Sequence, residues 1–303
     1  MRYFSEAEVR ELLPMSDAIE AMRSAFKALA IGEALNQPRR RLHLQTGAVL
    51  HALAGANLQY FGTKIYSTHP KYGAWFTLLL FDAETAKPLA QFEANYLGQI
   101  RTGAVSGLAT DVLAPWPEVD VGVIGSGFQA ESQIRAVASV RKIRSLRVWS
   151  RKEDRRQAFA AKVMTQLGIA ASAAQTSEEA TANAEIVITA TNAKEPVISE
   201  TAVRSDALVL AMGSNDPKRR EIPGEIVKRA KLVVDDVEAA RIEAGDFLLA
   251  LREEEWGRVQ PLGHFLGSGP AHSVEGRTVF KSVGLGIEDV AAASLVYERA
   301  IPA

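Results

Sequence analysis

The sequence has no cysteine among its 303 residues, which excludes disulfide frameworks, thiolate nucleophiles and cysteine-ligated zinc sites. It also has little excess of either charge, with 35 Lys and Arg against 36 Asp and Glu. Without a basic surplus it does not read as a nucleic-acid binder, because phosphate contacts need cations. No run of about 18 apolar residues is present to cross a bilayer, and the acids Glu6 and Glu8 fall where a signal peptide would be apolar. A cytoplasmic protein without membrane contacts is expected. There are only 12 prolines, and neither a disordered tract nor a fixed-period repeat is found. The five histidines, His43, His51, His69, His264 and His272, lack metal-site spacing, so each reads as a surface or satisfied core residue. No Gly-x-Ser-x-Gly elbow supports a serine hydrolase.

What is present suits two domains with substantial cores. Ser5 followed by Glu8 fits a capping box, and Ser16-Asp17 opens a run in which Ile19, Met22, Ala25, Phe26 and Leu29 recur at helical spacing before Gly32. Between about 48 and 93 the texture changes to short apolar runs, Val49–Leu53, Leu58–Ile65, Trp75–Phe81 and Pro88–Phe92. Gly, Pro and Asp turns separate them, as in an antiparallel or mixed sheet. A helical run from Leu97 to Leu113 stops at Pro115-Trp116-Pro117, because proline has no N–H and excludes the preceding residue from a helix. Strands then alternate with helices: Val119–Ile124, Gln129–Val140, Ser145–Trp149, Glu153–Leu167, Glu185–Ala190, Ala207–Ala211 and Leu232–Val234. That alternation predicts βαβ units on a parallel sheet. The last helix, Ile287–Ala300, could pack on either domain.

The most informative segment joins the strand Val119–Ile124 to Gly125-Ser126-Gly127-Phe128-Gln129-Ala130 and then a helix. In a Gly-x-Gly-x-x-Ala turn, Gly125 permits the tight bend, Gly127 lets a pyrophosphate approach the backbone, and Ala130 allows close helix packing. The phosphates would sit on N–H groups at the positive end of the helix dipole. These features predict a Rossmann dinucleotide-binding domain. The next strand ends at Ser150, twenty residues after Ala130, where an acid would favour NAD. Ser150-Arg151-Lys152 stands there instead, and its cations suit a 2′-phosphate. NADP(H) is therefore the expected cofactor, with NAD(H) possible. Thr191, Gly213, Ser214 and Asn215 follow later strand ends and should line the cofactor cleft.

In the first domain Lys64 interrupts an apolar strand. A buried lysine is costly to desolvate, although strand alternation could equally turn it outward. Arg39-Arg40-Arg41 and Arg101 add guanidiniums able to grip a carboxylate, and no one of residues 39–41 is singled out by pattern.

These residues together resemble the ornithine cyclodeaminase/mu-crystallin family over essentially the whole chain. The resemblance rests on Gly62-Thr63-Lys64, Phe81-Asp82 with Pro88-Leu89-Ala90, Arg101-Thr102-Gly103-Ala104 and the glycine loop. It extends to Pro217–Glu221 and to Phe280-Lys281-Ser282-Val283-Gly284 followed by Glu288-Asp289. It implies a homodimer in the α/β class: an α+β substrate-binding and dimerisation domain at 1–118 and 283–303, and a Rossmann domain at 119–282. By position, Arg40, Lys64 and Arg101 would hold the substrate carboxylate, with Lys64 near the carbon that exchanges hydride. Phe128, Gln129, Thr191, Arg219 and Ser282 match cofactor-contacting positions, and Val283 matches a substrate-contacting one. No metal is implied.

The chain departs from the family pattern in informative places. Ornithine cyclodeaminases and related alanine dehydrogenases carry an aspartate two residues before the proline matching Pro217, whereas this chain has Asn215. An amide cannot serve as a general base at neutral pH. Ala52-Leu53-Ala54 replaces a Met-Pro-Ala segment, and Gly73 stands where a hydroxyl residue often contacts the nicotinamide. The resemblance therefore points to the ketimine reductase branch, with a cyclic imine such as 1-pyrroline-2-carboxylate or 1-piperideine-2-carboxylate as substrate. Ornithine cyclodeaminase is the alternative. An alanine dehydrogenase or a crystallin-like NADP(H)-binding protein is a weaker one.

Overall fold

The computed structural model describes residues 1–267 and 276–301. Its internal contacts divide the chain into two units, Met1–Ala104 with Gly284–Ala303, and Val105–Val283. The elements of the first unit are β1 (Arg2–Phe4), α1 (Glu6–Leu12), α2 (Met15–Ala30), β2 (Leu35–His43), β3 (Val49–Ala56), β4 (Tyr60–His69), β5 (Gly73–Asp82) and β6 (Pro88–Glu93). Helix α3 (Asn95–Leu113) follows and contains the division. The second unit runs through β7 (Glu118–Ile124), α4 (Phe128–Val140), β8 (Lys142–Trp149), α5 (Glu153–Leu167), β9 (Ala171–Ala173), α6 (Ser177–Thr181), β10 (Ile186–Thr189) and β11 (Leu208–Ala211). It continues with α7 (Gly224–Arg229), β12 (Lys231–Val234), α8 (Val237–Glu243), α9 (Gly245–Leu248), β13 (Val259–Pro261) and β14 (Thr278–Lys281). Helix α10 (Gly286–Ala300) belongs to the first unit.

In the first unit the sheet order is β1-β6-β5-β4-β3-β2, antiparallel except for the parallel β1–β6 pair. Ser5 and Glu8 form the expected capping box. Helix α2 buries Ala18, Ile19, Met22, Ala25 and Phe26, but it starts at Met15 behind Pro14 rather than at Ser16. Proline just outside a helix leaves no N–H unsatisfied there, so it serves as the boundary. Helix α10 packs on α2 and on the β2–β5 side of the sheet. Its first turn comes so close to β3 that a Cβ on Gly286 would meet the Ala54 carbonyl oxygen at 2.3 Å.

The apolar pattern does not predict strands β1, β2, β9, β13 and β14. β2 is Leu-Asn-Gln-Pro-Arg-Arg-Arg-Leu-His, a polar edge strand with a proline, and so carries little apolar alternation. β14 likewise ends in a lysine yet is buried throughout.

The second unit is an eight-stranded sheet in the order β13-β12-β14-β11-β10-β7-β8-β9, with every pairing parallel. Chain order runs outward in one direction through β7, β8 and β9 and in the other from β10. The switch point therefore lies between β7 and β10, where dinucleotides bind in such sheets. The fold is α/β, a Rossmann-type unit joined to an α+β unit. Among the described residues no helix is long and apolar enough to cross a membrane, and no group of metal-ligating side chains occurs. His272 lies outside the described residues.

Candidate active site

In the first unit β4 turns Lys64 to the same face as Gly62, under α10, and leaves it 3% exposed. Its ammonium donates to Oδ1 of Asp289 at 2.7 Å. Arg101, on the almost fully buried α3, donates from Nε to that same oxygen at 2.8 Å and from Nη1 to Oε2 of Glu288 at 2.7 Å. Burial pushes the Lys64 pKa down to about 8, and the Arg101 charge adds to this while Asp289 opposes it. Burial also works against the Arg101 charge, but Asp289 and Glu288 outweigh it and hold that pKa above its ordinary value. The Asp289 carboxyl pays for its own burial, yet Arg101 and Lys64 keep it below the usual carboxylate range.

The third cation of this cluster is Arg39, not Arg40. A bulge between Gln37 and Arg40 shifts the β2–β3 register, so Arg40 pairs with Ala52. Ala52 lies on the face opposite Leu53, the partner of Lys64, and Arg40 is exposed. Arg39 is 6% exposed, and its Nη2 donates to the Gly284 carbonyl at 3.1 Å. The expectation for Arg40 is thus displaced by one residue, because a bulge reverses which neighbour faces inward. Arg39, Lys64 and Arg101 against Glu288 and Asp289 leave one positive charge in excess, which a bound carboxylate would balance. Glu288 and Asp289 supply the counter-charges of this cluster, a role that their place in a motif does not reveal. The signal that could have found them is two adjacent acids in the first turn of an otherwise apolar helix.

Beside this cluster His51 stacks on Tyr66, with ring centroids 4.2 Å apart, and its Nε2 shares a 3.0 Å hydrogen bond with Thr68 Oγ1. Burial and the nearby Arg41 and Arg39 push its pKa down to about 4, so it is neutral; only Nε2 is hydrogen-bonded, and the buried Nδ1 has no hydrogen-bond partner among the described residues.

In the second unit the glycine loop follows β7 at the switch point. Gly125 adopts φ +118°, and a Cβ there would meet the Ala190 carbonyl oxygen at 2.4 Å, so only glycine fits. Among the described residues, nothing fills the space where a Cβ of Gly127 would be and no side chain caps α4, which begins there. Ala130 is fully buried. An open approach to an uncapped helix N-terminus suits a pyrophosphate, so these residues fit a dinucleotide. Phe128 is 51% exposed beside the loop, and Gln129 Oε1 accepts from Ser132 Oγ at 3.3 Å.

Other expected residues take more specific places. Ser150 Oγ accepts from Ser126 Oγ at 2.9 Å, linking the glycine loop to the end of β8. Arg151 and Lys152 are exposed just beyond it, whereas Arg156 turns inward onto the Ser150 carbonyl at 3.1 Å. The Thr191 hydroxyl is occupied by Glu221 at 2.7 Å. Ser282 Oγ and the Val283 N–H both donate to the buried Asp235 carboxylate, at 2.9 and 2.7 Å. Arg219 donates to the Asn192 carbonyl at 3.3 Å and pairs with Asp216 at 3.2 Å. Asn215 is half-buried after Ser214, whose carbonyl accepts from Lys281 Nζ at 2.5 Å. Gly213 donates its N–H to Glu221 at 2.7 Å.

Known proteins share this architecture over its full length. The chain is 33% identical to a Delta(1)-pyrroline-2-carboxylate reductase of Bacillus cereus, covering 99% of this chain and 97% of that protein. The structure of the Thermococcus litoralis Delta(1)-pyrroline-2-carboxylate reductase in complex with NADH and L-proline superposes with a TM-score of 0.94 at 30% identity, over 99% of this chain and 97% of that one. An archaeal alanine dehydrogenase dimer with bound NAD gives 0.92 at 31% identity, over 99% and 96%. The model of the ornithine cyclodeaminase/mu-crystallin family matches residues 3–302, and the chain belongs to that family.

Proposed function

We propose that this protein is an NAD(P)H-dependent ketimine reductase. It would reduce the carbon–nitrogen double bond of 1-pyrroline-2-carboxylate or 1-piperideine-2-carboxylate to give proline or pipecolate. The observation that carries the reading is the buried cluster in which Lys64 and Arg101 share Asp289, with Arg39 alongside and one positive charge in excess. Such a cluster suits a small anionic substrate in a dry site, where charge-assisted hydrogen bonds are strong. The reductase relatives and the glycine loop support the redox half of the reading.

The glycine loop with Gly125 and Gly127 would hold a reduced nicotinamide dinucleotide, which would supply the hydride for the imine carbon, and the ring nitrogen, protonated from solvent, would end as a secondary amine. The chain's own contribution is positional. Arg39, Lys64 and Arg101 fix the carboxylate adjoining the reacting carbon, and burial keeps water from competing for those donors. Asn215 provides no carboxylate for deprotonating a substrate amine, which favours an already formed imine over ornithine or alanine as substrate.

Two finer readings accompany this one. Arg151 and Lys152, exposed after β8 with no acid at Ser150, favour NADP(H) over NAD(H). The outward face of the first unit's sheet carries Leu42, Leu50, Ile65 and Trp75, each at least 40% exposed, and suits a second copy of the chain; the archaeal alanine dehydrogenase relative is a dimer.

The test is oxidation of NADPH and NADH with the two cyclic ketimines, compared with pyruvate plus ammonia and with ornithine plus NAD. Fast turnover of the ketimines is expected. Faster ammonia release from ornithine, or faster amination of pyruvate, overturns the reading in favour of those activities.

A further inference from the structure

The mechanism leaves a fully buried carboxylate unused. Glu221 is 0% exposed, and four donors converge on it from two different strand ends. Oε1 accepts from the Thr191 N–H and the Thr191 hydroxyl, both at 2.7 Å. Oε2 accepts from the Gly213 N–H at 2.7 Å and the Thr189 hydroxyl at 3.1 Å. One acidic side chain thereby clasps the ends of β10 and β11, on the side of the sheet's switch point where a dinucleotide binds.

Glu221 is itself held from behind. Its N–H donates to Asp246 Oδ1 at 2.6 Å, and Asp246 pairs through Oδ2 with Lys281 Nζ at 3.1 Å. Gly213 is required at its position, since a Cβ there would lie 2.3 Å from Glu221 Oε1. Burying two carboxylates with one ammonium is expensive, and such groups persist only when their hydrogen bonds are satisfied. An apolar side chain could fill the same volume but could not accept the two backbone N–H groups at once. Directing the Thr191 hydroxyl into Glu221 also fixes the rotamer, and Thr191 Cγ2 then lies 3.4 Å from where a Cβ of Gly125 would be. The Ala190 N–H, one residue before Thr191, donates to the Ile124 carbonyl at 2.9 Å, so the segment that Glu221 holds is hydrogen-bonded to the residue that precedes the glycine loop.

We propose that Glu221 is a positioning residue for the dinucleotide site, setting the Thr191 rotamer and hence the glycine loop. The inference rests on the dinucleotide half of the function above. Glutamine is the informative substitution: its amide nitrogen would face a backbone N–H or a hydroxyl donor where a carboxylate oxygen accepts now. Thr191→Val keeps the branched shape against Gly125 and removes the hydroxyl that locks it.

The test measures NADH and NADPH dissociation constants, by nicotinamide fluorescence well below the unfolding midpoint, for wild type, Glu221→Gln, Thr191→Val and the double variant. Each single variant should weaken the preferred cofactor about tenfold. The double variant should lose no more than the worse single, because both changes break one linkage. The KM for the imine at saturating cofactor should stay within about twofold, a split that general loosening of the fold would not give. Unchanged affinity in Glu221→Gln, or losses that simply multiply, overturns the proposal. If Glu221→Gln does not fold, wild-type affinity in Thr191→Val overturns it alone. Failure of the wild type to bind either nucleotide overturns the functional reading instead.

Discussion

Lys64 Nζ and Arg101 Nε both donate to one oxygen, Oδ1 of Asp289, at 2.7 and 2.8 Å. A single carboxylate oxygen thus holds two cations from different elements, β4 and α3, while Arg101 also reaches Glu288 through Nη1. If this cluster binds the substrate as proposed, binding should be sensitive to pH through Lys64. Its pKa is near 8, so an anionic ring carboxylate such as pyrrole-2-carboxylate should bind well at pH 7 and more weakly as pH rises through 8. Asp289 holds that pKa up, and Asp289→Asn should therefore move the alkaline loss toward neutral pH. Titrating the dissociation constant against pH for both proteins checks this, and coincident profiles would remove Lys64 as the responsible group. Protein stability should respond in the opposite sense. Between about 8 and the ordinary lysine value the unfolded chain binds more protons than the folded one, so this group's contribution to stability rises with pH.

Arg39 and Arg40 separate the two faces of β2 cleanly. Arg39→Ala removes a buried donor from the cationic cluster and should cost about 2–5 kcal/mol of transition-state binding, the usual loss for one partner of a desolvated charge pair. Arg40→Ala, on the opposite face, should change kcat/KM less than about threefold. Steady-state kinetics on the two variants decides between them, and the reverse ranking would place the β2 register differently.

The glycine loop, the βαβ order and the small-residue helix α3 were legible because each rests on local spacing. The Arg39 assignment was not, because a β-bulge leaves no mark in a run of three identical residues. Lys64 could not be oriented from alternation alone. What buries it is α10, some 220 residues further along the chain, whose acids meet it only after folding. Glu221 was visible as part of a motif, but its role depends on four donors from two strands that sequence does not bring together.

Arg151 and Lys152 offer cations where the ribose 2′ position is expected. Replacing both with alanine should lower the NADPH-to-NADH ratio of kcat/KM by about tenfold or more, acting mainly on NADPH, since charge-assisted contacts to a phosphate are lost while NADH has none to lose. An unchanged ratio would mean that these residues are an ordinary solvated helix start and that cofactor preference is set elsewhere.

The outer face of the sheet in the first unit tests the assembly. Leu42, Leu50 and Trp75 follow one cross-strand row through Ser67, and Ile65 lies in the next, so these exposed apolar side chains cluster on one face. Patches of this kind mark interfaces, and a twofold dimer would bring each patch against its own copy. Leu50→Arg would then place like charges close to each other across the axis and desolvate both. Sedimentation equilibrium should give twice the chain mass for the wild type and the chain mass for Leu50→Arg, with Trp75→Glu behaving alike. A Leu50→Arg protein that remains a dimer would move the interface off this face, and a monomeric wild type would abolish it.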